Sequence, residues 1–174
     1  MIEEKLDLGE MGERQKKLFL TSVFLGKMLA AGAVFQVVLH IYPSTFGIQA
    51  GFARLVADTL KLLGVDATTN MYFVVLDTGI YRITQDCLGW KSIAAFTGLM
   101  FASGSLKKHY RFLLAGIGVL VVANVVRVVS TVYLSHTGVI SFDIIHGTLW
   151  KWGLTSLVLV MWFYWFHGEN HELF

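Results

Sequence analysis

Three residues of this chain combine reactive chemistry with positions at the ends or in the interior of apolar stretches: Cys87, Arg127 and His146. A cysteine thiolate is a strong nucleophile, and an imidazole can take up the thiol proton and later return one to a leaving amine. A guanidinium stays charged at any accessible pH, so it is no practical base, but it can hold a thiolate, a tetrahedral oxyanion or an anionic headgroup. Together the three support acyl transfer through a thioester. Cys87 is the only cysteine and lies in the polar stretch Asp86-Cys87-Leu88-Gly89-Trp90-Lys91-Ser92. Asn124 precedes Arg127 by three residues, on the same face of a helix, where its amide fixes the guanidinium or extends a polar pocket.

Each residue also has a plain structural role. A lone cysteine at a helix start is usually a small packing residue, and His146 alone reads as an interfacial histidine. Arg127 is harder to dismiss, because a charge within a membrane span costs at least ~2.5 kcal/mol even on insertion scales and so needs a partner or a task. Asp86 is one possible partner. His167 and His171 have the i, i+4 spacing of a metal pair but sit in a short polar tail, so no cofactor or metal is expected. Asp77 and Asp143 read as turn and cap residues.

The elements that must position these groups follow from composition. Of 174 residues 55% are hydrophobic and 15% charged, and the apolar residues come in long blocks, the pattern that a bilayer selects. The sequence predicts an all-α membrane protein forming a single domain over residues 1–174. One cysteine excludes an intramolecular disulfide framework and zinc sites built on several thiolates. The formal charge of +2 is dispersed over segment ends, which excludes a nucleic-acid footprint.

Residues 1–17 form a charged N-terminal segment, and four spans are expected at 18–41, 90–106, 111–134 and 146–166. The first is too long for a signal-peptide core and is read as retained; Lys27 within it must snorkel or find a partner. Residues 46–63 read as an amphipathic helix, with Phe52, Leu55, Val56, Leu60 and Leu63 on its apolar face, Pro43-Ser44-Thr45 at its start and Gly64 as its C-cap. Asn70 to Val75 and Gly79 to Thr84 read as a short hairpin or two extended strands leading into Cys87. Trp90 and Lys91 mark a membrane interface, and Trp162, Tyr164 and Trp165 an aromatic belt. Gly26, Gly32, Gly98, Gly116 and Gly118 read as close-packing sites between helices.

Short basic segments, Arg14, Lys16 and Lys17 and then Lys107, Lys108 and Arg111, place the N-terminus and the turn between the second and third spans in the cytoplasm, and with them the C-terminus. Counting along helices from the cytoplasmic side puts Cys87 at about 30 Å, Arg127 at about 24 Å and His146 at about 31 Å. All three approach the extracytoplasmic face.

Cys87-Leu88-Gly89 leading into one span, Asn124-Val125-Val126-Arg127 in the next and His146 at the head of the following one resemble the exosortase/archaeosortase family of membrane transpeptidase-like sorting enzymes. Asp86 before the cysteine and Trp90-Lys91 after it look closer to the archaeal members, whereas many exosortases have Ser or Thr where this chain has Leu88. The resemblance implies Cys87 as nucleophile, Arg127 as the essential arginine and His146 as base, with Asn124, Asp86 and Gly89 in support. It implies a membrane-protein substrate whose C-terminus carries a short motif, one membrane helix and a basic cluster, and a lipid or other surface acceptor. The alternative is a non-catalytic scaffold or transporter subunit with a structural arginine.

Overall fold

The computed structural model of the chain describes residues 12–41, 45–104, 109–139 and 150–170. Of the residues singled out from sequence, His146, Pro43, Ser44, Lys107, Lys108, Asp143 and His171 lie outside the described residues. The described chain forms α1 (Glu13–Ile41), α2 (Phe46–Leu62), β1 (Thr68–Asn70), β2 (Phe73–Leu76), β3 (Gly79–Arg82), one 3-10 turn (Gln85–Leu88), α3 (Trp90–Ser103), α4 (Tyr110–His136) and α5 (Trp150–Asn170). The protein is thus mostly helical. Among the described residues two stretches, Arg14–Val37 of α1 and Tyr110–His136 of α4, are long and apolar enough to cross a membrane. Their outward surfaces expose Leu18, Leu25, Leu29, Leu114, Val122 and Val126, an apolar exterior that only lipid or another apolar partner would cover.

The helices of the bundle centre on α3, which touches α1, α4 and α5 although it is only 14 residues long. It ends at Ser103, short of the expected 106, because Gly104 adopts an extended conformation and lies against Trp165; a Cβ there would stand 3.0 Å from that ring. Phe96 and Met100 of α3, Leu120 of α4 and Val158 and Trp165 of α5 form the bundle core. Gly116 lets α3 and α4 approach, since a Cβ would meet the Phe96 ring at 2.4 Å, and Gly98 faces Ala31 of α1 at 3.6 Å. Gly26, Gly32 and Gly118 face open space instead. The expected aromatic belt also divides. Trp165 is buried and Trp162 turns inward to donate its Nε1–H to the Ser103 hydroxyl at 2.8 Å, while Tyr164 stays exposed.

A second core lies beyond the bundle along the later half of α4, where Val128, Val129 and Val132 pack with α2, the sheet and Cys87. The expected hairpin is a three-stranded antiparallel meander in the order β1-β2-β3. β2 and β3 pair from Phe73↔Arg82 to Leu76↔Gly79, and Val74 and Leu76 point into the core at alternate positions. The α2 helix buries Gln49, Ala53, Val56, Ala57 and Leu60, spaced three and four apart, while Leu55 is exposed. Its face is therefore rotated from the expected one, towards its small residues, which allow close packing on β2 and α4. Thr45 flanks its start without a side-chain cap bond. Gly64, at φ +82°, closes it by a Schellman motif, with Gly64 N–H donating to the Lys61 carbonyl and Val65 N–H to that of Leu60. α4 runs through both cores, and Asn124 and Arg127 occupy the seam between Leu120 below and Val128 above.

Candidate active site

The cysteine is carried into the seam by a change of backbone type. β3 keeps the chain extended through Ile83, whose N–H donates to the Tyr72 carbonyl, and Thr84 remains extended at ψ 168°. The chain then tightens into one 3-10 turn as Cys87 N–H donates to the Thr84 carbonyl at 3.0 Å. Gly89, at φ +73°, ends that turn in the left-handed region and starts α3, its carbonyl accepting from Ile93 N–H. Cys87 therefore sits on a short turn between a strand and a helix. It is 9% exposed.

Two side chains of α4 hold this turn. Asn124 donates from Nδ2 to the Cys87 carbonyl at 2.8 Å, and Arg127, one helical turn further, donates from Nη2 to the Asp86 carbonyl at 3.3 Å. Residues three apart on a helix are neighbours on its surface, so they meet two successive carbonyls of the turn. Asn124 thus fixes the cysteine's backbone and not the guanidinium. Asp86 does not pair with Arg127 through its carboxylate either: that group reaches Lys91 Nζ at 2.6 Å, both side chains being more than half exposed. Such an exposed pair adds little stability but ties the two ends of the turn across Cys87. Trp90 stacks on Phe35 at 4.6 Å, anchoring α1 beneath the site.

A cavity of about 450 Å³ opens between β3 and α4, and Cys87 and Arg127 both line it, with Ile80 to Thr84 on one wall and Val128, Thr131 and Val132 on the other. Thr84, not foreseen from sequence, brings its Oγ1 to 3.4 Å from the Cys87 Sγ. The signal for it is its position three residues before the cysteine, one turn of a 3-10 helix. Among the described residues, Arg127 Nε and Asn124 Oδ1 are buried without a hydrogen-bond partner. Buried polar atoms are normally satisfied, so each of these two calls for a further partner, as do the buried Nε1 atoms of Trp90 and Trp165. His136 is engaged elsewhere, its Nδ1 hydrogen-bonded to Thr78 Oγ1 at 2.7 Å and 3.5 Å from Asp77 Oδ1, pinning the β2–β3 turn to the end of α4. Tyr81 adds a bond from its hydroxyl to Ser135 Oγ.

A larger groove, about 920 Å³, is lined by His109, Phe112, Trp162, Phe163 and Trp165 at the opposite end of α4. It holds neither the thiol nor a guanidinium. Of the residues named from sequence, Cys87, Arg127, Asn124, Asp86 and Gly89 come together at the seam.

Gly89 has two reasons to lack a side chain. A residue with a Cβ pays about 1–2 kcal/mol for the left-handed region. A Cβ here would also stand 2.6 Å from Asn124 Cγ, and Asn124 is only 2% exposed, so its amide would be driven off the Cys87 carbonyl. Gly89→Ala is expected to lower the thermal midpoint in detergent clearly more than Gly64→Ala, which has a similar φ but open space around it. Equal losses would mean that the Asn124 contact carries no weight.

The stretch from residue 11 to residue 165 matches the family model of the transmembrane exosortases (Exosortase_EpsH). No curated protein and no solved structure matches the chain. The match takes in both cores, the sheet and the seam where the cysteine and the arginine meet, and on that extent the chain belongs to the transmembrane exosortase family.

Proposed function

We propose that the protein is a membrane cysteine transpeptidase that cleaves the C-terminal sorting signal of surface proteins and passes them to a lipid or other surface acceptor. The observation that carries this reading is the shared cavity of Cys87 and Arg127, with the cysteine's turn held by Asn124 and Arg127. The thiolate of Cys87 attacks the scissile carbonyl, the C–N bond breaks as the amine leaves with a proton, and the thioester is resolved by the acceptor nucleophile. Arg127 stabilises the thiolate and the oxyanion, its Nε having no hydrogen-bond partner among the described residues. His146 is the proposed base. The substrate is a membrane protein ending in a short motif, one apolar helix and a basic cluster.

Four spans, made of α1, α3, α4 and α5, complete the proposal. The termini lie in the cytoplasm, and the sheet, α2 and the cavity lie on the outer side.

Alkylation tests accessibility and activation together. Cys87 is expected to react from the outside of intact cells with a small membrane-impermeant alkylating reagent. At pH 7 its rate should exceed by about tenfold that of an ordinary thiol placed in the exposed β1–β2 turn by Met71→Cys. An inert Cys87 beside a reactive Met71→Cys thiol would favour the scaffold alternative, in which Cys87 is a packing residue.

A further inference from the structure

The wall of the cavity on the β3 side is made of five consecutive residues, Ile80, Tyr81, Arg82, Ile83 and Thr84. Successive side chains of a strand point to opposite faces, so a wall that takes in both sets is the edge of the strand and not one of its faces. β3 is the edge strand of the sheet. Its register shows which backbone groups that edge presents. Ile83 N–H donates to Tyr72 O, which makes 72/83 a hydrogen-bonded pair. In an antiparallel ladder such pairs alternate, so Tyr81 and Gly79 also turn their backbone groups towards β2, while Ile80 and Arg82, opposite Val75 and Phe73, turn theirs away from it. Among the described residues no backbone partner meets those of Ile80 and Arg82. Thr84 continues the extended backbone to within three residues of Cys87.

We propose that this edge binds the substrate by strand addition: an extended peptide pairs with Ile80 and Arg82 and is led along β3 to the Cys87 thiol. The proposal rests on Cys87 being the nucleophile and adds how its substrate is held. Alternating donors and acceptors at a two-residue repeat of about 6.8 Å match another extended backbone. A lipid headgroup offers no such series, and a helix has its backbone groups already bonded. Across the cavity Val128 and Val132 provide an apolar wall for the peptide's side chains, and the Thr131 hydroxyl is already committed to the Arg127 carbonyl at 2.7 Å. The Arg82 guanidinium lies over the Tyr72 ring at 5.6 Å, so its side chain is engaged within the sheet. Recognition through the backbone tolerates many side chains, with selectivity left to the cavity's shape.

Strand addition makes a sequence-independent probe sufficient. Acetyl-tetra-alanine bearing a C-terminal vinyl sulfone alkylates a thiolate by forming the C–S bond at the β-carbon while the α-carbon takes a proton. With the full chain in nanodiscs, this reagent is expected to label Cys87 at least about tenfold faster than ethyl vinyl sulfone, the gain from two or three backbone bonds. N-methylation of one alanine at a time should abolish the advantage with a period of two, because only alternate amides of an added strand face β3. Arg82→Pro, which removes one outward N–H from an edge position where proline is tolerated, should lower the ratio of the two rates, whereas Arg82→Ala should keep it.

The methylation scan uses the unaltered protein, so misfolding of a variant cannot imitate its pattern. A peptide reagent no faster than the small one, or a scan without the two-residue period, overturns strand addition while leaving Cys87 as the nucleophile. Loss of the advantage as protein concentration rises would assign the edge to a second copy of the chain and equally overturn it. Failure of both reagents to label Cys87 would instead overturn the proposed function itself.

Discussion

Cys87→Ala is expected to accumulate in the membrane at normal levels and to process a co-expressed tail-bearing protein at least ~10³-fold more slowly than the unaltered chain, the scale on which loss of a covalent nucleophile is felt. The structural cost should be small, since the substitution removes one sulfur from a residue whose backbone is held by Asn124. Cys87→Ser separates chemistry from packing more finely. The serine hydroxyl keeps a polar neighbour in Thr84, whose Oγ1 lies 3.4 Å from the native sulfur, so the turn remains satisfied. A hydroxyl ionises far less readily than a thiol, and the variant should be almost as inactive as alanine. Pulse-chase of the substrate's mobility, with the variant's abundance measured beside it, reads both effects. Processing that continues in either variant would reduce Cys87 to a core residue.

Arg127→Lys keeps the charge and is nonetheless expected to lower processing about 10²- to 10³-fold, the scale of a lost oxyanion donor. The guanidinium does two things at once. Nη2 braces the Asp86 carbonyl, and the planar group still carries Nε, buried without a partner among the described residues. A lysine ammonium is a point charge on a flexible stem and cannot fill both positions. Retained abundance with lost processing is the predicted outcome, checked by the same pulse-chase assay. Processing at the native rate would show that α4 needs only a compensated positive charge at this depth.

The meeting of Cys87 and Arg127 at one cavity was legible because helical rise is nearly constant: counting residues alone brings the turn before α3 level with the later half of α4. Family membership was legible for a related reason, since Cys87-Leu88-Gly89 leads directly into one helix and Asn124-Val125-Val126-Arg127 stands in the next. Side-chain partners were not. Asp86 and Arg127 are natural partners by charge, yet the contact runs through the Asp86 carbonyl while the carboxylate turns to Lys91. Backbone carbonyls carry no mark in a sequence. The reason for Gly89 was equally hidden, because it depends on Asn124 arriving from 35 residues away.

Periodicity misplaced the face of α2 for a physical reason. Val56 and Leu60 of the expected face are fully buried, but Leu55 and Leu62 stand outward beside Arg54 and Asp58 while the small residues Ala53 and Ala57 turn inward, so side-chain size does not mark the edge of the buried face. β1 was missed because Thr68-Thr69-Asn70 is polar and exposed throughout; it exists by pairing with β2, a non-local cause. The shortness of α3 came from Gly104 and its contact with Trp165, again set by a distant residue.

The central claim is a covalent one, that the substrate's backbone passes through a thioester on Cys87. It is tested most directly by acid-quenching the purified protein during reaction with a tail-bearing substrate and weighing the adduct. The predicted result is a hydroxylamine-labile acyl group on the peptide containing Cys87, absent from Cys87→Ala and accumulating when no acceptor is supplied. Product formed at the normal rate with no adduct on Cys87 would contradict the account.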